Sequence, residues 1–77
     1  MPRGLAKANA YYNNLQARED WNWLAGYANR HGYSADVVRY MPKPDAGYRA
    51  IDKCIGKLMK AMQLEGNLYE LRQGGLQ

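Results

Sequence analysis

Four cations stand at steps of four, four and three residues: Arg49, Lys53, Lys57 and Lys60. At about 100° per residue, that spacing places them along one face of a helix. A row of this kind can neutralise phosphates, so the chemistry it suggests is nucleic-acid binding with a steep salt dependence. It is equally the solvated side that any surface helix needs. Tyr48, Ile51, Ile55, Leu58 and Met62 form an apolar stripe on the opposite face. The whole chain leans the same way, with 11 basic against 7 acidic residues, a net charge of +4 and a pI near 9.4. That balance favours anionic partners and argues against an acidic mimic of DNA.

Catalytic chemistry finds few residues to work with. His31 is the one imidazole and Cys54 the one thiol, so neither an internal disulfide nor a Cys/His metal set is available. Glu19 and Asp20 are adjacent, and neighbours on a helix point about 100° apart rather than converging. Gly74-Gly75 has no following helix and makes no phosphate loop. Cys54 borders the apolar stripe, where a small packed side chain is expected rather than a nucleophile. The expectation is a protein without catalytic activity, cofactor or metal.

A second constellation spans Leu24 to Met41. Ala28 precedes Gly32 by four residues, Val38 follows it by six, and Met41 comes three later. A small residue lets two helices approach, glycine takes the corner, and two apolar residues pack the second helix back. With Tyr27 and Tyr33 at two further inward positions, the stretch resembles the helix-turn-helix of small bacterial and bacteriophage repressors. The resemblance covers 18 of the 77 residues. His31, Gly26 and Asp36 depart from that pattern. The resemblance implies a recognition helix over Ala35 to Met41, presenting Ser34, Ala35, Asp36, Arg39 and Tyr40 to duplex DNA. Arg39 and Tyr40 would read base edges, Arg39 by pairing its guanidinium with both acceptors of a guanine. Ser34, Arg30, Lys43 and Arg49 would hold phosphates, with Lys53, Lys57 and Lys60 adding further contacts. A homodimer is expected, because one short helix reads few bases. The apolar face of the last long helix is one candidate for the subunit contact.

The aromatic residues supply a different reading. There are seven Tyr, two Trp and no Phe. Tyr11, Tyr12, Trp21, Trp23, Tyr27 and Tyr33 fall within 23 residues. Rings with polar tips suit half-wet core positions, and they also dominate protein interfaces. Trp21 shares a stripe with Leu24 and Ala28, which leaves Trp23 as the exposed anchor beside Tyr11 and Tyr12. The alternative function is therefore a small adaptor, inhibitor or virion protein, of phage type, that docks on a host protein.

Helical periodicity positions all of these groups, and nothing reads as a strand. Leu5, Ala8, Tyr12 and Leu15 recur at three- and four-residue steps, and a rotated stripe of Ala17, Trp21, Leu24 and Ala28 follows. Either one long helix buries two faces in turn, or the chain breaks near Gln16 to Asp20. The polar cluster Arg18-Glu19-Asp20 favours the break. Gly32 ends that segment, Ser34 caps a short helix, and Pro42 and Pro44 stop it. Asp45 caps the last long helix, which ends at Gly66. Asn67 with Glu70 then resembles a capping box for a short final helix. The expected fold is all-α, a small bundle of four to five helices with a helix-turn-helix-like corner. It is one domain over residues 1–77, with residues 1–4 and 72–77 as flexible ends. No signal-peptide pattern and no run of 18 apolar residues is present, so the expectation is a cytoplasmic protein without a membrane partner.

Overall fold

Between Gly4 and Gly26 the chain has neither glycine nor proline, and nothing in that stretch interrupts a helix. The computed structural model describes residues 3–74, with side chains described from Asn9 onward. Four helices follow one another: α1 (Arg3–Arg30), α2 (Ser34–Tyr40), α3 (Tyr48–Ala61) and α4 (Leu68–Arg72). No strand occurs among the described residues, so the fold is a small all-α bundle.

The break expected near Gln16 to Asp20 is absent. Its polar side chains are satisfied within and beside the helix instead. Gln16 Nε2 donates to Asp20 Oδ1 at 3.1 Å, one turn ahead, and Asp20 also pairs with Arg72 of α4. Arg18 reaches across to the connection before α3, where its Nη2 donates to the carbonyl oxygens of Pro44 and, at 2.9 Å, Ala46.

Both α1 and α3 end in the same backbone device. The Tyr33 N–H bonds to the Ala28 carbonyl at 2.8 Å and the Gly32 N–H to Asn29 at 3.3 Å, with Gly32 at φ +87°. This six-to-one and five-to-two pairing is a Schellman motif, which satisfies the last carbonyls of a helix. At α3 the matching bonds run from Leu64 to Met59 (3.0 Å) and from Gln63 to Lys60 (2.9 Å), and Gln63 takes the left-handed position at φ 59°. The last long helix therefore stops at Ala61, earlier than Gly66. Gly66, at φ +94°, lies in the connection that leads to α4. Asn67 caps α4 as expected, its side-chain oxygen accepting from the Glu70 N–H at 2.9 Å, while Glu70 Oε1 accepts from the Asn67 side-chain amide at 3.4 Å rather than from the backbone N–H of a full capping box.

The start of α3 is capped from a distance. Gly47, not Asp45, occupies its N-cap position and has no side chain to offer. The Tyr48 N–H instead donates to Asn14 Oδ1 of α1 at 2.7 Å. α2 likewise begins one residue earlier than expected. Tyr33 stands at its N-cap without a side-chain bond, so Ser34 is inside the helix and does not cap it.

The core is assembled from all four helices: Ala17, Trp21, Leu24 and Ala28 of α1, Val37 of α2, Ile51, Ile55, Leu58 and Met59 of α3, and Leu71 of α4, with Met62 just after α3. The Ile51, Ile55, Leu58 and Met62 stripe of α3 is thus consumed inside the protomer, and it is closed to a second subunit. No polar side chain is buried among the described residues. Large apolar side chains contribute about 1.5–3 kcal/mol each when buried, and Leu24, Ile51 and Leu58 are the largest that are fully enclosed.

Candidate nucleic-acid interface

α2 turns its faces differently from the repressor pattern. Val37 is 5% exposed, whereas Val38 is 73% and Met41 57% exposed. The Schellman end at Gly32 starts α2 immediately after Tyr33, so the residues reaching the core are Tyr33, Val37 and Tyr40, at steps of four and three. Val38 and Met41, the two residues expected to pack the second helix back, face outward. Ser34, Ala35 and Arg39 share that outer side, while Asp36 and Tyr40 are half-buried.

Beyond α2, the chain crosses to α3 over Met41 to Gly47. The Ala46 N–H bonds to the Lys43 carbonyl at 3.0 Å, a turn with Pro44 at its second position, and Arg18 clamps its far side. A groove of about 460 Å³ lies between this connection, the end of α2 and the outer flank of α3. Its floor is apolar, formed by Tyr40, Met41, Pro42, Ala46, Ala50 and Cys54. Arg39, Lys43, Lys53 and Lys57 stand around it, and Asp45 is the one acidic side chain of the lining. Lys53 and Lys57 are one turn apart on α3, about 6 Å along its axis.

Five of the residues expected to touch nucleic acid thus meet in one place: Arg39, Tyr40, Lys43, Lys53 and Lys57. Arg30, Ser34, Arg49 and Lys60 are exposed but stand outside this lining. Arg49 Nε donates to the Tyr48 hydroxyl at 3.2 Å, and this bond raises the guanidinium pKa above its ordinary value. Arg39 lies over the ring of Tyr40, with its guanidinium carbon 5.9 Å from the centroid.

Sequence reasoning missed the floor of the groove. Ala50 and Cys54 stand four apart on α3, between the basic and apolar stripes. Their small side chains leave space beneath the cations, and that spacing was the available signal.

Trp23 is not the exposed anchor that the stripe analysis suggests. It is half-buried and stacks on Tyr27 at 5.6 Å, and Tyr27 stacks in turn on His31 at 4.2 Å. Arg72 covers the indole from α4, 5.4 Å from its centroid. Tyr11 and Tyr12 are exposed and meet edge to face at 5.6 Å, so the stripe of Tyr12 and Leu15 is not buried within the protomer. Among the described residues no group of three or more His, Cys, Asp or Glu side chains could hold a metal ion, and no helix is long and apolar enough to cross a membrane. Comparison with known proteins finds no matching family model, no matching curated protein and no matching solved structure.

Proposed function

We propose that this protein binds nucleic acid, duplex DNA foremost, at the groove between α2 and α3. The observation that carries the reading is the convergence of Arg39, Lys43, Lys53 and Lys57 around one apolar floor, against a single carboxylate. Lysines on a helix flank and a rigid turn suit phosphates, because each contributes a point charge without demanding a fixed orientation. Arg39 is the side chain suited to a base edge, since its fork matches the two acceptors of guanine. Val38 and Ala35 beside it on the outer face of α2 offer apolar contact to a thymine methyl. The outward turn of Val38 changes which residues α2 presents, and it leaves a small, mostly uncharged surface around Arg39.

The test is binding to a mixed-sequence duplex, read by fluorescence anisotropy at about 50 and 200 mM salt. Three neutralised phosphates should weaken binding by roughly 40-fold over that range. Absence of binding at the lower salt would remove this reading.

A protein partner is the second reading, and the observation favouring it is the open aromatic pair Tyr11 and Tyr12 on α1. It separates cleanly from the first. A Tyr11→Ala/Tyr12→Ala chain should keep its DNA affinity while losing a protein contact.

A further inference from the structure

The groove between α2 and α3 holds more apolar surface than a phosphate site needs. Phosphates are met by the cations around it, and setting them on Met41, Pro42, Ala50 and Cys54 gains nothing. Met41 is nonetheless 57% exposed, directly after the last residue of α2. The one carboxylate of the lining is a second mismatch. Asp45 is exposed two residues from Lys43, where it repels a phosphate.

Both features suit a base whose face is free. Paired bases hide their faces in the stack and offer only their edges, whereas an unpaired base exposes an apolar face and a polar edge. The groove has a counterpart for each. Its volume of about 460 Å³ lies within the roughly 300–1,000 Å³ of small-ligand sites. Ala46, Ala50 and Cys54 are small enough to leave that room. Tyr40 supplies a ring and Met41 a polarizable thioether, and both make favourable contact with an aromatic face. Asp45 can accept from the exocyclic amine of cytosine. Lys53 and Lys57, about 6 Å apart along α3, match successive phosphates of an extended strand. The connection that completes the groove is already held by Arg18 through the Pro44 and Ala46 carbonyls, so little ordering is left for a ligand to impose.

We propose that the groove takes an unpaired nucleotide of a DNA strand, with its base on the apolar floor and its flanking phosphates on Lys53 and Lys57. The outer face of α2 then lies on the adjoining duplex. This substrate class rests on nucleic acid being the partner of the groove. The favoured ligand is a duplex with a single-stranded end, because its terminal bases enter without the cost of breaking a pair. A cytosine is preferred to a thymine, which has no amine to donate to Asp45.

Fluorescence anisotropy with the full chain at about 50 mM salt tests this on one duplex in several forms. These are the blunt duplex, the duplex with an overhang of about four cytidines, and the same overhang made abasic. The abasic strand keeps the phosphates and removes the bases, so the ratio between the two overhangs isolates the floor of the groove. The cytidine overhang should bind about tenfold tighter than the abasic one, the effect of one stacked base. A thymidine overhang should fall between them, and one that binds as tightly as cytidine would remove Asp45 from the site. Ala50→Leu fills the floor from an exposed position on α3. It should bring the ratio down to about one, with the helical circular dichroism spectrum unchanged. Equal binding of the cytidine and abasic overhangs, or a ratio that survives Ala50→Leu, would overturn the proposal and leave a groove for phosphates alone. If blunt and overhanging forms all fail to bind, the nucleic-acid reading itself falls, and the groove is left to an acidic protein segment.

Discussion

Arg72 donates to Asp20 across 2.8 Å while lying over the ring of Trp23, and this one side chain fastens α4 to the middle of α1. Asp20 and Arg72 are only partly covered, so the ion pair contributes about 0–1 kcal/mol and the cation–π contact a similar amount. Arg72→Ala is expected to cost about 1 kcal/mol in urea denaturation, with faster amide exchange confined to α4. Arg72→Lys should recover little, because an ammonium cannot lie flat on the indole. Exchange that speeds up throughout the protein would mean that α4 does not open independently of the other helices.

The two adjacent valines of α2 give a sharp contrast. Val37→Ala removes buried methyl groups and should destabilise by about 1–3 kcal/mol. Val38→Ala should change stability by less than about 0.5 kcal/mol, as expected of an exposed site. Thermal melts of the two variants decide between the observed packing and the repressor-like one, for which the order reverses.

The two Schellman ends predict changes of opposite sign. Gly32 has nothing within 4 Å of where a Cβ would stand, so Gly32→Ala carries only the backbone cost of a left-handed residue. That cost is about 1–2 kcal/mol. Gln63 already bears the same strain at φ 59°, and Gln63→Gly should stabilise by about 1 kcal/mol. Chemical denaturation midpoints shifting in the same direction for both variants would contradict this assignment.

Within the groove, the cations divide by role. Lys53→Ala and Lys57→Ala should each weaken every duplex alike and reduce the salt slope by about one. Arg39→Ala should cost about 1–3 kcal/mol at a preferred site and relax the preference at one base step. Lys60→Ala, outside the lining, should change little. If Lys60 matters as much as Lys53 in anisotropy titrations, the contact runs along the outer face of α3 rather than the groove.

The apolar periodicity, the Gly32 end of α1 and the Asn67 cap were legible in the residues, whereas the caps of α2 and α3, the end of α3 and the rotation of α2 were not. The apolar stripe of α3 and the Asn67 cap follow from local spacing, and the structure has both. The uninterrupted α1 was obscured because Arg18 and Asp20 look like a helix start, while their partners, Ala46 and Arg72, lie 28 and 52 positions away. The rotation of α2 by one residue depends on how tightly Gly32 turns the chain, and the Ala28, Gly32, Val38 spacing does not report that. Arg39, Lys43, Lys53 and Lys57 were identified by type and periodicity. Their convergence came from the Arg18 clamp on the connection, a contact with no local signature.

The bond from Tyr48 to Asn14 has a consequence for how the chain folds. A helix of 14 residues is marginal by itself, and forming its first turn is the unfavourable step. Here the group that relieves that step arrives from 34 residues upstream, so α3 gains its cap only once α1 lies beside it. Such a cap is worth about 0.5–2 kcal/mol, a large share of the stability of so small a domain. Nucleation of α3 is thereby a tertiary event. A peptide of residues 48–61 should be largely unstructured in water, and the protein should melt in a single cooperative transition rather than helix by helix.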